Sequence, residues 1–139
     1  MKINPTRRQG GVALLEALLA AVLLAIGLLG TIGLQARAYS ALSDAGMRSE
    51  ATIAAERLLG VMTTDAGNLN DYKLAEDGKP GERLAPWYNA TRKSIPGATV
   101  VVSVTAGSGA AAPAEVAVTI SWQRKADTPK NTHAVRAYI

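Results

Sequence analysis

Residues 11–34 read GVALLEALLAAVLLAIGLLGTIGL. The stretch is apolar apart from one hydroxyl, Thr31, and one charge, Glu16. From Ala17 to Leu34, eighteen residues pass without a charged side chain. At about 1.5 Å per residue, a helix of that length spans roughly 27 Å, close to the hydrocarbon core of a bilayer. Lipid offers the backbone no hydrogen-bond partners, so a segment that crosses it must be helical. Ala and Leu dominate the run, and both are strong helix formers. A chain of 139 residues has too little protein to wrap such a helix on all sides, so a membrane helix is expected rather than a core helix.

Glu16 is the anomaly in this stretch. A carboxylate at the centre of a membrane helix costs about 2.5–3.5 kcal/mol. Near the headgroups that cost is small; deeper in, the group needs a cationic partner. No Lys or Arg lies between Gly11 and Gln35, so the partner is not a neighbour on the same helix. A cut after Gly11 would create one. Val12 would then carry an α-ammonium with a pKa near about 8, one turn from its own Glu16 and open to the Glu16 of an adjacent subunit.

The segment Gly11-Val12-Ala13-Leu14-Leu15-Glu16 resembles the type IV prepilin processing site: glycine, an apolar first mature residue, three more apolar residues, then glutamate. The following Ile26-Gly27-Leu28-Leu29-Gly30 and Gly33-Leu34-Gln35-Ala36 are similar to minor pilins of the PilV type, the type IV pilus modification proteins. The detailed likeness covers about the first third of the chain. It implies that a membrane-bound prepilin peptidase cuts between Gly11 and Val12 and N-methylates Val12, and that Glu16 serves filament assembly. Val12 stands where most members carry phenylalanine, and the helix-breaking proline common in the family is missing from the run.

The implied fold class is α+β and pilin-like. A long N-terminal helix, its first half transmembrane, would pack on a small antiparallel sheet of three to four strands. Residues 1–11 would be the leader, 12–36 the transmembrane and assembly helix, and 37–139 a periplasmic domain. The implied partners are the inner membrane, prepilin peptidase, other major and minor pilins and the pilus assembly machinery.

Charge agrees with a leader. The formal net charge is +4, but Lys2, Arg7 and Arg8 all precede Gly11. Without them 12 cations face 11 acids, so the basic balance is largely a leader effect. Positive charge before a membrane helix keeps that end cytoplasmic. There is no cysteine, so no disulfide staples the small remainder. Ordinary signal cleavage near Ala36-Arg37-Ala38 is the nearest competitor, but its apolar core would be only about 7–15 residues.

Beyond the apolar run, the helix is expected to continue to about Met62, with Arg37 marking the exit. Met47, Ala51, Ala54, Leu58, Val61 and Met62 share one face at helical spacing. Asp44 and Arg48 are spaced for an i,i+4 pair. Gly27, Gly30 and Gly33 either allow close helix packing and local unwinding or are simply tolerated in lipid. Residues 63–97, with Gly67, Gly78, Pro80, Gly81, Pro86 and Pro96, read as a long connecting loop holding at most a short strand or helical turn. Trp87-Tyr88 within it is expected to pack on the helix or sheet.

Three strands follow. Residues 98–105 are a β-branched run. Residues 115–124 alternate, with Val116, Val118, Ile120 and Trp122 on one face. Residues 132–139 alternate again, with Val135, Ala137 and Ile139 inward and Arg136 and Tyr138 outward. An antiparallel meander on the polar half of the helix is the simplest assembly.

The chain offers little to catalysis, and no enzyme is expected. His133 is the one histidine and there is no cysteine, so zinc and Cys/His chemistry have no ligand set. Asp71, Glu76, Asp77 and Glu82 are loop acids without calcium-loop spacing. Arg92-Lys93 and Arg124-Lys125 are two dipeptides and do not establish nucleic-acid binding. No cofactor is expected. The reading is a minor structural subunit of a type IV pilus, contributing to biogenesis, adhesion or motility. It would wait in the bacterial inner membrane with its domain in the periplasm. A minor pseudopilin of a type II secretion system shares the motif and helix. A signal-anchored envelope protein that binds a ligand through its sheet needs no cut after Gly11.

Overall fold

A computed structural model describes residues 10–109, 112–124 and 128–139. The chain divides into two compact units, residues 1–43 and 44–139. The described part of the first unit is helical throughout and belongs to α1 (Gly10–Thr64), which also supplies the first helix of the second unit. Here the helix is long and apolar enough to cross a membrane, with a mean hydropathy of 2.7 over its most apolar window and none of that window buried. Leu15, Leu23 and Leu29 are 63%, 68% and 69% exposed. A core helix of a soluble domain would be covered; this one presents its leucines outward on every side.

The second unit is α+β. After α1 come a 3-10 helix (Ala66–Tyr72), α2 (Ala85–Ser94) and three strands: β1 (Thr99–Thr105), β2 (Glu115–Trp122) and β3 (Asn131–Tyr138). The strands form an antiparallel meander in the order β1-β2-β3. In register, Val102 opposes Val118, and Val118 opposes Val135. Outside the strands, Leu74 bridges to Val102 with two backbone hydrogen bonds of 2.9 Å, closing part of the β1 edge.

One face of the sheet is covered. Ala51, Ala55, Leu58 and Met62 of α1 are fully buried, in one cluster with Val100, Val102, Val116, Val118, Ile120 and Trp122. Spacings of four, three and four residues keep the α1 positions on one stripe. Val61 does not lie on it and is 48% exposed, whereas Ala55, absent from the expected face, is fully buried. Ala54 is partly buried at the margin of this core, and its carbonyl accepts from Trp87 of α2.

The stretch 63–97 is not the loop that its prolines and glycines suggest. It holds the 3-10 helix and the ten-residue α2. Pro86 occupies the first turn of α2, where its missing N–H costs nothing, and α2 stops ahead of Pro96. The prolines therefore bound a helix. Gly97, at φ +75°, then turns the chain into β1, a conformation that a side chain would strain. Leu84 and Ile95, which flank α2, are fully buried.

The expected Asp44–Arg48 pair does not form. Arg48 donates from Nη2 to Asn131 Oδ1 at 2.7 Å, tying α1 to the start of β3. Asp44 Oδ1 is buried with no hydrogen-bond partner among the described residues, as is the indole N–H of Trp122.

Candidate processing and assembly segment

Gly11, Val12 and Glu16 lie in the first turns of α1. Val12 and Glu16 are four residues apart, so they share a face with about 6 Å of axial separation. Val12 is 69% exposed and Glu16 is exposed. Among the described residues Glu16 makes no ion pair. Residues 1–9, most of the expected leader, lie outside the described residues.

Three features along the same helix bear on what the segment can do. Thr31 donates its hydroxyl to the Leu28 carbonyl at 2.8 Å, so the one hydroxyl of the apolar run is satisfied within the helix. A methyl group at Gly27, Gly30 or Gly33 would meet nothing within 4 Å. Their small size is therefore not required by packing within this chain; it leaves the helix surface flat for lipid or another helix. Past Arg37, Tyr39 and Leu42 remain 73% and 69% exposed. A tyrosine two residues beyond the first cation suits the membrane–water interface, where its ring and hydroxyl meet opposite media. The sequence signal for this was the Arg37-x-Tyr39 spacing.

Among the described residues, the second unit carries the one cluster of shifted titratable groups, none of which the sequence pointed to. Asp65, just past α1, accepts from Asn68 Nδ2 at 2.7 Å, from the Tyr72 hydroxyl at 2.8 Å and from Arg83 Nη1 at 2.7 Å. Arg83 also donates from Nε to Asp71 at 3.0 Å. The hydrogen bonds from Asn68 and Tyr72, with the Arg83 charge, hold the Asp65 carboxyl below its ordinary 3.8. Burial, and then the carboxylate of Asp65, push the Tyr72 hydroxyl above 10.0. Asp65 raises the Arg83 guanidinium as well. All three groups move away from neutrality, the opposite of a working acid–base pair. The cluster fastens the end of α1 to the segment before α2. Its members are separated by up to 18 residues, so no local periodicity marks them.

The other residues singled out in the sequence fall apart in space. Glu76 pairs with Lys130 at 3.2 Å. Arg92 lies over the Tyr88 ring, 5.7 Å from its centre. His133 is half-buried on the inward face of β3. Lys125 lies outside the described residues.

No family model, curated protein or solved structure matches this chain.

Proposed function

We propose that this chain is a minor structural subunit of a type IV pilus, held in the bacterial inner membrane by the first half of α1, with residues 37–139 as its periplasmic domain. One observation carries the reading. The glycine-to-glutamate spacing of residues 11–16 opens a helix whose apolar side chains are exposed on every side through the run 11–34. Prepilin peptidase would cut between Gly11 and Val12 and N-methylate Val12. The helix would then leave lipid for a bundle of other major and minor pilins, under the pilus assembly machinery. Glu16 would meet the terminal amine of a neighbour there. In apolar surroundings an ion pair adds less to net stability than to the choice of partner and register, because both charges lose their hydration.

Intact-mass and N-terminal peptide mass spectrometry of the protein from membranes, with and without active prepilin peptidase, tests this. A mature chain beginning at N-methylated Val12 supports it. An uncut chain, or one cut near Ala38, leaves a plain membrane anchor or a secreted domain and removes the pilus reading.

A further inference from the structure

At one end of the sheet, within the second unit, two buried polar atoms stand without partners. Asp44 Oδ1 accepts no hydrogen bond, and the indole N–H of Trp122 donates none, among the described residues. Trp122 is 1% exposed, so solvent does not satisfy it. Both residues border Asn131. Trp122 opposes Asn131 across the β2–β3 ladder, and side chains directly opposite share a face of the sheet. Asp44 lines a cavity together with Asn131. An acceptor and a donor, each lacking a partner, therefore flank one residue.

The nearest cation has turned elsewhere. Arg48 lies one turn after Asp44, at the spacing for a pair, but its Nη2 donates to Asn131 Oδ1 at 2.7 Å. A buried carboxylate oxygen without a donor is costly, and such an atom calls for a water, an ion or a ligand. The cavity beside it has a volume of about 310 Å³ and is lined by Asp44, Arg124, Thr128, Pro129 and Asn131. One water needs only about 10–15 Å³ of such volume, so a single bridging water does not fill it. Small-molecule sites begin at about 300 Å³. The walls carry opposite charges. Asp44 is on α1, and Arg124, just past β2, makes no ion pair among the described residues. A hard metal cation suits these walls poorly. It takes about six to eight oxygens, whereas the lining offers one carboxylate beside the guanidinium of Arg124.

We propose that this cavity binds a small organic zwitterion, its primary ammonium donating to Asp44 Oδ1 and its carboxylate or phosphate held by Arg124. The ammonium supplies the donor that Asp44 lacks. A guanidinium grips a carboxylate or phosphate through two parallel hydrogen bonds, which fixes the other end. A bare amine leaves Arg124 without an anion, and a bare anion leaves Asp44 without a donor. Free amino acids and the ethanolamine phosphate headgroup of a lipid share this chemistry. The site does not depend on the pilus reading.

The full chain in detergent micelles, titrated with glycine, γ-aminobutyrate and O-phosphoethanolamine, tests it. At least one of the three is expected to bind with a Kd below about 1 mM by calorimetry and to raise the melting temperature. Asp44→Asn and Arg124→Gln are each expected to weaken that binding about tenfold or more. Without ligand, Asp44→Asn is expected to melt no lower than wild type, because it deletes a charge that nothing in the described chain pairs. The indole N–H resonance of Trp122, identified by its survival in Trp87→Phe, is expected to shift on binding. A response to glycine or γ-aminobutyrate assigns a free amino acid. A response to O-phosphoethanolamine alone, reproduced by micelles doped with phosphatidylethanolamine but not phosphatidylcholine, assigns a lipid headgroup. No binding tighter than about 1 mM by any of the three overturns the proposal. Equal binding of ethylamine or of inorganic phosphate overturns it too, since each needs only one wall. So does binding that either variant leaves unchanged, or an Asp44→Asn chain that melts well below wild type without ligand.

Discussion

The indole N–H of Trp87 donates to the main-chain carbonyl of Ala54 at 2.8 Å, joining α2 to the C-terminal part of α1 across 33 residues of chain. Around this bond Glu50, Ile53 and Arg57 of α1 face Ala90, Thr91 and Ser94 of α2. Trp87→Phe keeps an aromatic ring but deletes the donor and the pyrrole half of the indole, so the hydrogen-bond loss is a lower bound. A typical intramolecular hydrogen bond contributes about 1 kcal/mol net, and the domain is expected to lose at least that much. Urea unfolding of the full chain in micelles measures the loss. Amide exchange should show α2 opening before the strands.

The stripe on α1 makes a sharper contrast. Leu58 is fully buried and Val61, three residues on, is 48% exposed. Leu58→Ala is expected to destabilise the domain by about 3 kcal/mol, the sum of lost transfer energy and an unfilled cavity. Val61→Ala should stay within about 0.5 kcal/mol. Equal costs at the two positions would mean that Val61 is covered in the folded protein.

Asp65 links stability to acidity. Its folded carboxyl titrates below the ordinary 3.8, so it binds its proton less readily folded than unfolded. The stability it adds is complete above the ordinary value and is lost as pH falls through the lower folded one. Asp65→Asn should therefore melt lower than wild type at neutral pH, and the difference should close below about pH 3.8. Melting temperatures taken at several pH values check the sign: a gap that widens toward acid contradicts the assignment. Arg83→Gln should lower the neutral melting temperature in the same direction, because it unties Asp65 and Asp71 together.

Glu16→Ala separates processing from assembly under the proposed function. The variant is expected to be cleaved after Gly11, since the scissile bond is retained, and to enter filaments poorly, since the neighbour's amine loses its partner. N-terminal mass spectrometry reads the first step, and comparison of sheared-pilus and membrane fractions reads the second. Normal incorporation would remove the register argument.

Elements with their own period were legible from residues alone. An apolar run of 11–34, charged only at Glu16, can be satisfied only by a helix in an apolar medium, wherever its neighbours lie. The alternation of Val116, Val118, Ile120 and Trp122 reports one-sided burial directly, and the meander follows from short connections between such strands. The candidate residues Gly11, Val12 and Glu16 were legible for the same reason: their relation is a spacing along one helix.

What depended on distant partners was not legible. A proline marks a break equally well at the start of a helix and in a loop, so α2 emerges only when Trp87 reaches Ala54 and Thr91 is buried. Arg48 had an acid four residues away and turned instead to Asn131, 83 residues on, because folding brings the start of β3 beside α1. Asp65 and Arg83 meet by the same route. Local periodicity records which side of an element is buried; it carries no record of which other element buries it. That second choice is made by packing, and with it came the two edges of the sheet, one closed in part by Leu74 and the other without a backbone partner among the described residues.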